Sequence, residues 1–246
     1  MSALLRLTAS EARLFSREPM EWGFAIVLPP LLFVALGVIP AFRVHEEGLG
    51  GLRVIDLYSP IIVAVAITVL ALLTLPQRFA AYRDKKVLRR MRITPARPML
   101  LLSAQLMLCL LVSFVTMVAI LAIGRLAFAV SLPHNLLAYL ASFALTAVTM
   151  LSIGLLVASV APTGPAAGAI GTVLFFPLLF LAGLWIPRAS MPDILLTISD
   201  FSPLGAAAQA LQDASAGSWP QPLHTAVLIG WSIACGALAA RCFRWE

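Results

Sequence analysis

Charge is what this sequence has least of. Only 11% of its 246 residues are Asp, Glu, Lys or Arg, against 61% hydrophobic, far outside the range of a soluble domain. With His counted as neutral, charge is absent from 22–42, 57–77, 98–124, 126–187 and 214–240. Each stretch can hold a helix of about 20 residues, enough to cross about 30 Å of hydrocarbon. The chain therefore reads as an all-α integral membrane protein. A transmembrane barrel is excluded, because segments of about ten alternating residues are missing.

Other absences narrow the chemistry. Cys109 and Cys235 fall in apolar stretches and Cys242 lies near the chain's end, so neither a disulfide framework nor a CxxC metal motif is available. His45, His134 and His224 are scattered, with no HExxH or paired-carboxylate spacing. No span contains a carboxylate, a lysine or a central histidine, which removes the nucleophile and base of an enzyme and the intramembrane ionisable group of a proton-coupled carrier. GxxxxGK[ST] is absent as well, so the chain has no P-loop of its own and the energy for any transport comes from elsewhere. No catalytic residue, metal site, bound cofactor or nucleic-acid partner is expected.

The charge-free stretch 126–187 is too long for one helix, and "APTGP" at 161–165 supplies two prolines and a glycine where it must turn. The chain is thus read as a single transmembrane domain over 1–246, with six spans at 22–41, 57–75, 99–123, 136–160, 166–186 and 223–240. An even number puts both termini on one side. Arg6, Arg13, Arg17, the eight basic residues of 78–98, Arg241 and Arg244 make thirteen on that side, against four opposite: Arg43, Arg53, Arg125 and Arg188. By the positive-inside rule both termini and the basic segment are cytoplasmic in a multi-pass protein of the cell membrane.

Residues 1–20 do not read as a cleaved signal peptide, since Glu11, Glu18 and Glu21 precede the apolar run. They read as an interfacial helix. Arg6, Arg13 and Arg17 share one face; Leu4, Leu7, Leu14 and Phe15 lie roughly opposite, with Glu11 and Glu18 intruding on the apolar side. Pro19 then permits a change of direction. Pro29 and Pro30 in the first span and Pro177 in the fifth are expected to bend their helices.

The segment "RFAAYRDKKVLRRMRITPARP", 78–98, carries eight of the seventeen Lys and Arg and one acid, Asp84. A basic loop can be a topology signal and nothing more, or can attract anionic lipid. Its wording goes further: "AAYRDKKVLRRMRITPARPMLLLSAQ", 80–105, resembles the signature of type-2 ATP-binding-cassette (ABC) transporter permeases, in which a tyrosine or glutamate with an arginine leads to a basic turn, "LRRLRxTP", before the third span. Tyr82, Arg83, Leu88, Arg89, Arg90, Arg92, Thr94 and Pro95 match. Asp84 stands where glutamate is common, and Lys85 and Lys86 replace a frequent glycine-threonine turn. "FFPLLFLAGLWIPRASMP", 175–192, is similar to the family's fifth span and the segment after it, and "ISDFSPLGAAAQALQD" to its external half-helices.

The resemblance implies that 78–98 is a cytoplasmic coupling segment resting in a groove of a separate ATPase subunit, which would bind the ATP and Mg. Tyr82, Arg83, Asp84, Leu88, Arg89, Arg90, Met91 and Arg92 are the expected contacts, with Leu88 and Met91 on one helix face. It also implies a second permease copy, or a homologous one, and export of an amphiphilic drug, antibiotic or lipid-like compound. Phe175, Phe176, Phe180, Trp185, Gly164, Gly168 and Gly171 are candidates for the substrate pathway or dimer interface. The external segment 187–222 is expected to hold two short helices, begun at Met191-Pro192-Asp193 and Ser202-Pro203. The competing reading is a non-transporting membrane scaffold whose basic loop binds lipid.

Overall fold

The computed structural model describes residues 3–18, 23–45, 51–84 and 98–242. Among them the fold is all helical, with one isolated antiparallel bridge between His45 and Arg53. Helix α1 is Ala3–Ser16. A π-helical turn, Gly23–Val27, leads into α2, Leu28–Val38. The next span is one continuous rod: α3, Val54–Thr68, a π-helical stretch Val69–Thr74, and α4, Leu75–Asp84. It is followed by α5, Pro98–Phe128, α6, Leu136–Val160, and α7, Gly164–Leu181. After these come α8, Asp193–Phe201, α9, Pro203–Ala216, and α10, Pro222–Cys242.

Five of the described helices are long and apolar enough to cross a membrane: Val54–Arg83, Leu100–Phe128, Leu136–Val160, Gly164–Leu181 and Pro222–Cys242. The first predicted span, 22–41, takes the form of a shorter apolar helix over Gly23–Val38. Pro40 sets its end, holding Ile39 in an extended conformation (φ −69°, ψ 116°) and opening a 3₁₀ turn over Pro40–Arg43. Pro29 and Pro30 fall in the middle of that Gly23–Val38 helix, where the π-helical turn gives way to α2, and each withholds a backbone donor from the turn before it. The second and third spans both run on beyond 57–75 and 99–123, because nothing in 76–84 or 124–128 breaks a helix: Pro76 falls in the first turn after the π stretch.

The predicted turn at 161–165 is built by caps. Ala161 closes α6, and Thr163 caps α7 by accepting a hydrogen bond from the Ala166 N–H at 3.3 Å. Asn135 caps α6 in the same way, from the Ala138 N–H at 3.0 Å. In the expected external segment α8 and α9 meet at 90°, joined by Ser202, whose hydroxyl accepts from the Gly205 N–H at 3.0 Å. Helix α7 ends, and α10 begins, at the end of the bundle away from the basic segment, so the bent pair enters and leaves at that same end. Helix α9 is almost wholly buried there.

The core centres on α3 and the π stretch, with α5, α6, α7 and α9 packed around it. Where two membrane helices touch, small residues and hydroxyls make the contact. Thr149 of α6 donates to its own Leu145 carbonyl at 2.8 Å and lies 3.0 Å from the Leu228 carbonyl of α10. Ser142 reaches the Ala210 carbonyl of α9 at 3.3 Å. The closest approaches are made by glycine. A Cβ on Gly154 of α6 would sit 2.0 Å from the Ala71 carbonyl oxygen, and one on Gly171 of α7 would sit 2.1 Å from that of Leu72. Both carbonyls belong to the π stretch.

Helix α1 differs from its expected disposition. Thr8, Glu11 and Phe15 face inward, and Leu14 is 50% exposed. Glu11 is thus no intruder on an apolar face but the buried centre of the packed one. Arg13 and Arg17 are exposed, as their shared face predicts.

Candidate functional site

Two regions carry functional geometry. The first is an apolar cleft of about 250 Å³ between α2, the α3–π rod and α7. Leu28, Pro29, Leu32 and Leu36 form one wall, Val65 and Val69 the floor, and Phe175, Leu179, Leu184 and Trp185 the other wall. No ionisable side chain lines it. A site of this composition binds by burying apolar surface, at roughly 25 cal/mol per Å², and offers no counter-ion to a charged ligand.

Of the predicted pathway residues, Phe175 and Trp185 line this cleft. Phe176 packs edge to face on Phe175 at 5.7 Å but is 56% exposed on the outside of α7. Phe180 is half-buried away from the lining. The three glycines separate by surroundings: Gly171 meets the Leu72 carbonyl, Gly168 faces the Gln77 side chain, and Gly164 has nothing within 4 Å. The leucines and valines of the cleft carry no sequence signal that sets them apart from lipid-facing ones.

The second region is the junction at the basic end of the bundle. The Tyr82 hydroxyl, in the last turn of α4, donates to the Glu11 carboxylate of α1 at 2.5 Å. Arg83 beside it donates to the Ala161 carbonyl at the end of α6. Arg78, one turn earlier, brings its guanidinium to 3.8 Å from Glu11 and lies 5.1 Å over the Phe15 ring. Tyr82 and Arg83 are therefore engaged within the chain itself. Asp84 ends α4, and Leu88, Arg89, Arg90, Met91 and Arg92 lie outside the described residues.

At the opposite end, three of the four basic residues are tied to the bundle. Arg43 donates to the Gly37 carbonyl at 2.5 Å and stacks on Phe128 at 5.0 Å. Arg53 pairs with Asp56 at 2.8 Å and reaches the Phe128 carbonyl at 3.0 Å. Arg188 binds Asp200 and Ser199, and His224 lies 3.2 Å from the same Asp200 oxygen. Partial burial pushes the Asp200 carboxyl up, but hydrogen bonds and charge from Arg188 and His224 outweigh it and hold the group below its ordinary value. These contacts staple the turn after α7 to α8 and α10. His224, Cys109 and Cys235 form no metal-binding cluster among the described residues.

The sequence profile of ABC-2 type transporters matches residues 2–214. This chain belongs to the ABC-2 type transporter family. The match runs from α1 to Ala214 in α9, so the cleft and the basic-end junction both lie within it. ABC-2 permeases are membrane transport components, not catalysts, and work with ABC ATPases. No curated protein matches the chain significantly.

Proposed function

We propose that this ABC-2 chain is the permease subunit of an exporter for an amphiphilic compound such as a drug, antibiotic or lipid-like molecule, driven by ATP hydrolysed on a separate cytoplasmic subunit. The observation that carries the substrate class is the cleft: apolar on every side, walled by Phe175 and Trp185, and free of ionisable groups. Helices α2 and α7, which wall it, also carry exposed apolar side chains outside its lining: Leu31 is 59% and Val173 71% exposed. A second permease copy against those side chains would enclose a pathway between the two clefts. The ATP and Mg belong to the partner, in keeping with the absence of a P-loop motif from this sequence.

Substrate class is tested in proteoliposomes holding the permease and its ATPase. Transport of a fluorescent amphiphilic dye and dye-stimulated ATP hydrolysis are expected of the wild type. Leu179, 4% exposed on the cleft wall, is the residue to enlarge. Leu179→Trp, with insertion verified, should cut dye transport by about tenfold while the ATPase stays bound, since the indole takes up apolar space the ligand needs. Undiminished transport would remove the cleft from the pathway. A chain that binds anionic vesicles but neither retains an ATPase nor moves dye would be the scaffold of the competing reading.

The orientation follows from charge, with both termini and 78–98 in the cytoplasm. Of the four cations assigned outside, Arg43, Arg53 and Arg188 have structural employment, which strengthens the contrast with the crowded basic segment. Single cysteines at Glu47 and Ser218 should react with an impermeant thiol reagent on intact cells, and one at Lys86 only after permeabilisation. Labelling at Lys86 on intact cells would invert the topology.

A further inference from the structure

The Tyr-Arg pair that leads into the basic segment has a use inside the chain. Glu11 is 4% exposed, Arg78 7% and Gln105 1%, so a carboxylate, a guanidinium and an amide are buried together where α1, α4 and α5 meet. With the Gln105 amide turned to suit its neighbours, its nitrogen donates to Glu11 at 2.9 Å and its oxygen accepts from Arg78 at 3.3 Å. The Tyr82 phenol completes the set at 2.5 Å from the same Glu11 oxygen. Apolar side chains would hold an interfacial helix against a bundle at lower desolvation cost. What the polar set adds is directional: each bond fixes where α1 stands relative to the final turn of α4.

Arg83, the next residue, ties that same turn to the Ala161 carbonyl, and Ala161 begins the short connection into α7. Helix α7 carries Phe175 and Leu179 of the cleft. A displacement of the chain beyond Asp84 therefore pulls on α1 through Tyr82 and on the α6–α7 turn through Arg83.

We propose that Glu11 and Tyr82 are positioning residues: their hydrogen bond, braced by Arg78 and Gln105, is a joint that makes α1 move with the end of α4 when the partner ATPase loads the basic segment. The loading step rests on the permease reading above; the joint itself does not. Tyr82 acts through Glu11 rather than by touching the partner.

The experiment compares wild type, Tyr82→Phe, Glu11→Gln and the double variant in lipid nanodiscs. Hydrogen–deuterium exchange in 3–16 should rise several-fold in Tyr82→Phe, a change distant in sequence that removes only a hydroxyl, while the spans keep wild-type protection. In proteoliposomes with the ATPase, each single variant should retain the partner yet move about tenfold less dye per ATP, and the double should be no worse than either single. Unchanged exchange in 3–16, normal transport per ATP, additive losses, or loss of ATPase binding in Tyr82→Phe would each overturn the joint. A wild-type chain that binds no ATPase would sink the permease reading alone, and the exchange measurement would still decide the joint.

Discussion

Gly154→Ala and Gly171→Ala are expected to cost this protein most of its folded population, although each adds only a methyl group. The new carbon would sit 2.0 Å from the Ala71 oxygen in the first case and 2.1 Å from the Leu72 oxygen in the second. Neither oxygen belongs to a side chain that can swing aside. Both are backbone carbonyls of the π stretch Val69–Thr74, within the most buried span of the bundle. That stretch is already unusual: the Leu75 N–H bonds to the Leu70 carbonyl, and Pro76 then withholds a donor from the carbonyls around Ala71 and Leu72. The two glycines let α6 and α7 come close to those oxygens. Relief of the clash requires α6 or α7 to move bodily, so the penalty should reach or exceed the upper end of the about 1–3 kcal/mol typical of overpacked cores. At this chain length that corresponds to a melting midpoint lower by roughly 5–10 °C, or to no monodisperse protein at all. Gly164→Ala, which has nothing within 4 Å, is the control and should behave as wild type by fluorescence-detected size exclusion and thermal melting. Equal behaviour of all three variants would refute the close approach.

The contrast among Gly154, Gly164 and Gly171 also shows where the sequence stops being informative. Glycine spacing drew attention to the start of α7, yet Gly164 is open and Gly171 is clasped, while Gly154 on α6 was not singled out. Which glycine is indispensable depends on the direction its neighbour's carbonyls point, and no periodicity in the glycine's own helix encodes that. The cleft was half legible for a related reason. In water an amphipathic stripe separates inside from outside, but in lipid both sides of a helix are apolar. Val173 at 71% exposure and Leu179 at 4% are the same kind of residue on the same helix. Aromatic bulk pointed to Phe175 and Trp185; nothing distinguished Leu28, Val65 or Leu179 from residues that face acyl chains.

Scarcity of charge was the stronger guide. The charge-free stretches located the apolar helices, and the Pro-Gly cluster at 161–165 located the turn between α6 and α7, because backbone and side-chain solvation leave few alternatives in a bilayer. Glu11 marks the limit of that guide. On the helical projection of α1 it looks misplaced among apolar neighbours, and only its partners from α4 and α5, far away in sequence, turn it into an anchor. A polar residue that violates a local pattern is thus a pointer to a long-range contact, although the partner cannot be named from the violation.

The basic segment itself should separate charge from shape. Attraction to an anionic surface is nearly additive, about 1 kcal/mol for each Lys or Arg close to it, and fades with salt. Seating in a protein groove instead depends on particular side chains and on apolar burial, where one carboxylate in place of a leucine forfeits the hydrophobic gain and adds a desolvation penalty. Leu88→Asp or Met91→Asp should therefore yield a correctly inserted permease that no longer holds its ATPase and moves no dye, even though all eight basic residues of 78–98 remain and its net charge falls only from +7 to +6. Lys85→Gln or Lys86→Gln removes the same unit of charge without touching the apolar face and should leave retention within about twofold of wild type. The measurement is pull-down of the ATPase from detergent-solubilised membranes at two salt concentrations, with insertion checked separately by the cysteine-labelling pattern. If the aspartate and glutamine variants lose retention equally, and high salt abolishes it in the wild type, the segment works by charge alone. Loss confined to the aspartate variants assigns the contact to Leu88 and Met91 and leaves the lysines as topology signals.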